Sequence, residues 1–119
     1  MERLIGIANE DAAALGHAIR RIEIEGERAI ESVEAFGSRA GGAFRGRGPL
    51  PTSDLDVYVT VRSSVVNSAA KLVSVIDEIE DVGSLFRTAT GIAVNSIVEI
   101  DVVAASHKRQ LLLTPFIAI

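Results

Sequence analysis

The chain has 119 residues, a hydrophobic fraction of 48% and a net charge of −4 at pH 7, which predicts one globular domain over residues 1–119. The acidic balance argues against a protein that holds nucleic acid by bulk electrostatics, and the lack of cysteine excludes disulfides and zinc–thiolate sites. No apolar run approaches the roughly 18 residues of a membrane span, and acids interrupt the N-terminal stretch where a secretion signal needs an apolar core. We therefore expect a soluble, cytoplasmic protein with no membrane partner.

Hydrophobic spacing predicts helices and strands that alternate along the chain. In chain order these are a helix over residues 9–31 with a break near Gly26, a strand over 32–36, a short helix over 39–44, a strand over 54–61, a helix over 65–80, a second short helix over 81–90 closed by Gly91, and a strand over 97–104. A helix between the last two strands is typical of a crossover that packs on a sheet. The predicted fold class is therefore α/β (α+β), a small mixed β-sheet packed with helices.

Two short motifs flank a loop rich in glycine, arginine and proline. Gly37 and Ser38 end the first strand, and a residue without a Cβ lets backbone approach an anion closely. Asp54 and Asp56 begin the second strand two residues apart, so both carboxylates project from one face and form an oxygen site suited to Mg²⁺. Each motif alone also fits a plain tight turn or a solvated strand face, but together they are far more specific.

This combination resembles the nucleotidyltransferase superfamily typified by DNA polymerase beta, and in size it is most similar to the small stand-alone members. The residues that carry the resemblance are Gly37, Ser38, Ala40 and Gly42 in the turn and Ser53, Asp54, Leu55 and Asp56 in the strand. The resemblance covers residues 32–104 and implies a nucleotidyltransferase-like core. It also implies that Gly37, Ser38, Arg39 and Ser53 contribute to binding the nucleotide and its phosphates.

The resemblance further implies a third carboxylate on another strand. Asp101 matches it, as the base for the attacking hydroxyl or as a ligand of a second metal, and Glu99 is the reserve candidate on the same predicted strand face. Asp54, Asp56 and Asp101 are thus the expected catalytic and metal-binding residues, with two Mg²⁺ ions as cofactors and Mn²⁺ as an alternative. A strand that emerges into solvent would also explain an acid at position 101.

The function that follows is transfer of an NMP from an NTP, with ATP expected, to a hydroxyl of a protein, RNA or small molecule. Relatives of this size occur in toxin–antitoxin pairs and as effector modules of larger toxins. The alternative is an inactive nucleotide-sensing or partner-binding module of the same fold. Many relatives add a helical domain after the third carboxylate to bind base and acceptor, and 15 residues follow Ala104 here. The resemblance then implies either that another chain supplies the acceptor site or that this is a reduced or fragmentary member.

Two basic segments and an apolar tail complete the chain. Arg45 and Arg47, in the loop over residues 45–52, would neutralise triphosphate charge or simply face solvent. His107 begins a basic cluster for which we expect a surface position. The apolar residues that follow are predicted either to cap the core or to bind a partner protein or a second copy of the chain.

Overall fold

The sheet has four strands and is covered by helices on both faces. The computed structural model describes residues 3–41, 53–111 and 115–119. Its elements are α1 (Asn9–Arg20), β1 (Glu23–Ile24), β2 (Glu27–Arg28), β3 (Ile30–Phe36), a 3₁₀ turn (Ser38–Ala40), β4 (Leu55–Val61), α2 (Ala69–Thr90), β5 (Val94–Ile100), α3 (Asp101–Gln110) and β6 (Ile117–Ala118). The mixed α+β class expected from the sequence is confirmed.

The strand order β5-β4-β3-β6 places β4 in the middle of the sheet. β3 pairs with β4 and with β6 in antiparallel fashion, whereas β4 and β5 are parallel. Parallel neighbours need a crossover connection, and α2 supplies it, as the sequence predicted. The loop predicted over residues 45–52, Gly42 and most of the short helix predicted over 39–44 lie outside the described residues, as do Leu112 and Leu113 of the tail.

The two faces of the sheet differ in their cover. Leu55, Val57, Val59 and Val61 of β4 are fully buried and pack, in one hydrophobic core, with the apolar sides of α1 and α2. Alternation along the strand sends Asp56, Tyr58 and Thr60 to the opposite face. Only α3 and the segment around Phe116 are described over that second face, so this is where polar side chains of the sheet can meet a ligand.

Four predicted elements were wrong in extent or type, in three places along the chain. The helix predicted over residues 9–31 ends at Arg20, because Glu25 and Gly26 both have positive φ and turn the chain into the β1–β2 hairpin. The two helices predicted over 65–80 and 81–90 are one helix, α2, capped by the Ser68 side chain and closed, as predicted, by left-handed Gly91.

The third error concerns the site directly. The strand predicted over residues 97–104 runs from Val94 to Ile100, and Asp101 begins a helix. An acid is favoured in the first turn of a helix, where it meets the positive end of the dipole. Asp101 is therefore not a strand residue.

Within the described ranges, none of the helices is long and apolar enough to cross a membrane.

Candidate functional site

The end of β3 and the start of β4 bring the glycine turn against the aspartate pair. Phe36 pairs with Asp56 across the two strands, so the residue that follows Phe36 lies beside the Asp56 carboxylate. Gly37 has φ 79° and ψ −158°, a backbone conformation that essentially only glycine adopts. A Cβ at position 37 would collide with Oδ2 of Asp56. The two motifs recognised in the sequence thus form one local structure, and its fit depends on the missing side chain.

Gly37→Ala should therefore cost the protein stability and displace the Asp56 carboxylate. The strained backbone and the collision together are expected to cost about 2–3 kcal/mol of unfolding free energy, measured by urea denaturation. Gly41→Ala is the matched control, because Gly41 also has a positive φ, 88°, but a Cβ there meets no atom within 4 Å. It should cost only about 1 kcal/mol and leave Asp56 in place. Equal losses in the two variants would contradict the proposed contact.

The Asp56 carboxylate is half-buried and sits in a locally negative environment. Burial raises its pKa, the amide of Asn95 opposes this by donating a hydrogen bond of 3.4 Å to Oδ1, and the neighbouring Asp54 carboxylate raises it further. The net result is a pKa above the ordinary value. Two carboxylates that disfavour each other's charge form a site that a hard cation would stabilise.

Asp101 lies at the other end of the sheet from this pair. In the parallel β4–β5 register Asp56 is opposite Asn95, whereas Val61 is opposite Ile100, which immediately precedes Asp101. Five residues of strand at about 3.3 Å each separate the two levels by roughly 17 Å. Hydrogen bonds from Ser63 lower the pKa of Asp101. The expected set of three carboxylates is not assembled, and the side chain that accompanies Asp56 on β5 is an amide.

Arg39 is buried in the structure. Its residue is 3% exposed, and its guanidinium donates to the backbone carbonyl of Ser53 at 2.8 Å and to that of Ile5 at 3.0 Å. The Ile5 amide in turn donates to the Arg39 carbonyl at 2.7 Å. Phosphate binding by Arg39 therefore stays a prediction, while the hydrogen bonds of its guanidinium give it a structural role. Arg39 ties the N-terminal segment and the backbone just before Asp54 to the glycine turn.

The backbone carbonyls of Ser38 and Ser53, next to the glycine turn and the Asp54–Asp56 pair, are each held by a hydrogen bond. The Ser38 carbonyl accepts from the Gly41 amide at 3.2 Å, which closes the 3₁₀ turn, and the Ser53 carbonyl is fixed by Arg39. Within the described ranges no group of three or more His, Asp or Glu side chains is placed to hold a metal ion. The described part of the site therefore offers two carboxylates, one amide and the backbone of the turn.

The sequence did not point to a second group of polar residues on the same face. His107 contacts Glu99 and Tyr58, and Lys108 pairs with Glu34. These contacts arise because α3 returns across the sheet. The sequence did not predict this return, because residues 101–104 read as strand. Asn95 was missed for the same reason, since the predicted strand began three residues too late.

Comparison of the chain with protein-family models, with curated proteins and with solved structures returned no match. The functional interpretation therefore depends on the residues and their geometry.

Proposed function

We propose that the chain binds a nucleoside triphosphate with Mg²⁺ at the Gly37–Ser38 turn and the Asp54–Asp56 pair, and transfers the nucleotidyl group to an acceptor hydroxyl. One observation supports this above all: the turn and the carboxylate pair, far apart in sequence, meet where Gly37 abuts Asp56. Backbone close to a carboxylate pair is what a metal-bound phosphate requires, because the carboxylates hold the cation and the glycine admits the phosphate.

The donor set fits one Mg²⁺ ion. Asp54 and Asp56 supply hard oxygen ligands, and burial, together with the charge of Asp54, raises the pKa of Asp56. When bound, the ion would offset phosphate charge and favour ionisation of the attacking hydroxyl. Asp101 is too distant to join this set, so we propose one ion held by the Asp pair in place of the two expected from the resemblance.

The chain's own residues then orient the reaction. The turn at Gly37 and Ser38 would lie against the terminal phosphates, and Asn95 holds the Asp56 carboxylate by donating to Oδ1. Arg39 links the turn to the backbone before Asp54 by donating a hydrogen bond to the Ser53 carbonyl. Such positioning supplies much of the rate in phosphoryl transfer. We propose ATP as the nucleotide and a protein or RNA, such as the partner in a toxin–antitoxin pair, as the acceptor.

A second candidate function is nucleotide binding without transfer. It is favoured by the amide of Asn95 beside Asp56, where a further carboxylate would strengthen the site, and by the distance to Asp101. A module of this kind would sense nucleotide and Mg²⁺ and present the bound state to a partner.

Incubation with each α-³²P-labelled nucleoside triphosphate and Mg²⁺ distinguishes the two functions. The assay is run with and without a bacterial extract of protein and RNA, beside an Asp54→Ala/Asp56→Ala control. We expect label to move onto a macromolecule only when the acids are intact. Mg²⁺-dependent ATP binding without transfer would establish the second candidate, and absence of both would overturn the proposal.

A further inference from the structure

A cluster of ionisable side chains covers the same face of the sheet as Asp56, two to four residues further along the strands. This cluster, Tyr58, Glu99 and His107, is hereafter called the imidazole cluster. Nδ1 of His107 lies 2.9 Å from Oε1 of Glu99 and 3.1 Å from the Tyr58 hydroxyl. Asp56 and Tyr58 are two residues apart on β4 and share a face, so their Cα atoms are roughly 6.5–7 Å apart.

The last turn of α3 is held over three adjacent strands. His107 contacts β5 through Glu99 and β4 through Tyr58, and Lys108 reaches β3 through Glu34. Lys108 also lies over the Phe116 ring, 4.9 Å from its centroid. Glu34 is paired with Tyr58 and Glu99 is paired with Thr60, so these contacts fix the helix end between the levels of Tyr58 and Thr60, two to four residues along β4 from Asp56.

The contacts determine how the imidazole can act. A carboxylate only accepts hydrogen bonds, so the proton of the neutral ring is assigned to Nδ1, where it satisfies Glu99. Among the described residues, both polar contacts of the ring go to Nδ1, and the side chain is 37% exposed. In this tautomer Nε2 therefore carries the lone pair of the ring. A carboxylate that fixes an imidazole in this tautomer prepares the opposite nitrogen to take up a proton.

The Tyr58 hydroxyl is not available to take up a proton in this way. Its residue is fully buried, and burial, followed by the charges of Glu99 and Glu34, raises the pKa of its phenol. With the ring proton on Nδ1, the Tyr58 oxygen accepts a share of that hydrogen bond and so positions the ring of His107.

We propose that Nε2 of His107 is the general base for the acceptor hydroxyl, with Glu99 and Tyr58 as positioning residues. This inference rests on the proposed function and gives His107 the role that the resemblance implied for Asp101. The acceptor oxygen forms a bond to the α-phosphorus as its proton moves to Nε2. The bond between the α-phosphorus and the bridging oxygen breaks, and its electron pair leaves with pyrophosphate. The acceptor must then approach along the open face from the side of α3.

The test compares three variants in the α-³²P-labelled ATP assay with Mg²⁺ and the bacterial extract. His107→Ala should lower the transfer rate by about 100-fold or more, while the Mg²⁺-dependent affinity for ATP changes less than about twofold. Added imidazole should restore transfer to this variant, because it can occupy the vacated volume and accept the proton. His17→Ala is the matched control, since His17 is exposed on α1, and it should transfer at the wild-type rate.

His107→Gln gives an independent check that does not depend on a vacated volume. Its amide can donate to Glu99 but cannot take up a proton, so it should fold, be as inactive as the alanine variant and not respond to imidazole. Wild-type transfer rates in both His107 variants would overturn the inference and leave the proposed function standing. If the wild type binds ATP without transferring label, both the base and the transfer are overturned, and if ATP does not bind at all, the whole site is.

Discussion

Replacing Asp56 with asparagine is expected to stabilise the ligand-free protein at neutral pH and to abolish its response to Mg²⁺ and ATP. The variant keeps the shape of the side chain but removes a half-buried charge that Asp54 disfavours. The affinity for ATP in the presence of Mg²⁺ should fall by about 100-fold or more, because a direct carboxylate ligand is lost. Few single substitutions are expected to raise stability and remove binding together.

The pH dependence follows from the raised pKa of Asp56. A carboxyl group with a higher pKa in the folded state favours folding when it is protonated, so the contribution of Asp56 to wild-type stability is fully present below the ordinary value of 3.8 and is lost as pH rises through the folded-state pKa. Asparagine does not ionise, so the variant should have the higher melting temperature only above the folded-state pKa of Asp56. Thermal melting of both proteins without Mg²⁺, from about pH 4 to about pH 8, measures it.

Asp101→Asn is the matched control for this experiment. It also removes one carboxylate, but Asp101 is only partly buried and lies at the other end of the sheet. The wild type and this variant should both melt at a higher temperature with ATP and Mg²⁺, because a ligand stabilises the state that binds it. If Asp101→Asn loses this shift and Asp56→Asn keeps it, our assignment of the site is wrong.

Arg39→Met is expected to destabilise the protein by about 3 kcal/mol or more. Methionine retains an unbranched side chain but leaves the carbonyls of Ile5 and Ser53 without their charged donor, and hydrogen bonds to charged groups are each worth about 1.5–3 kcal/mol. Urea denaturation measures the loss as a lower midpoint with an unchanged slope.

Arg28→Met provides the comparison for Arg39. Arg28 is exposed on β2, so its replacement should change the unfolding free energy by less than about 0.5 kcal/mol. If Arg39→Met proves as stable as Arg28→Met and loses only nucleotide affinity, Arg39 acts on phosphate, as the sequence first suggested. A lower unfolding free energy with unchanged nucleotide affinity supports the structural role of Arg39.

The local parts of the site could be predicted from the sequence. The turn at Gly37 and the pair Asp54–Asp56 depend on the i to i+2 geometry of a strand and on the conformations open to glycine. Both are properties of a few neighbouring residues. Bringing the two motifs together required only that the strands on either side of the loop pair with each other.

The rest of the site could not be predicted, because it depends on α3, whose hydrophobic pattern is misleading. This helix exposes Val102 and Val103, 73% and 43% accessible, and turns His107 and Lys108 toward the sheet. Apolar residues usually mark the inner face of a helix, and consecutive β-branched residues favour a strand. The sequence therefore placed Asp101 in a strand and His107 at the surface. α3 can turn its polar residues toward the sheet because Glu34, Glu99 and the aromatic rings supply polar and cation–π partners there.

The position of the Asp pair at the start of β4 has a consequence for the thermodynamics of binding. β4 is hydrogen-bonded to β3 on one side and to β5 on the other, so its backbone can open only when the sheet itself is disrupted. Amide hydrogen exchange along Val57–Val61 should be among the slowest in the molecule. Little conformational entropy then remains for a ligand to remove from these residues, so ordering of the ligand itself should account for most of the entropic cost of binding.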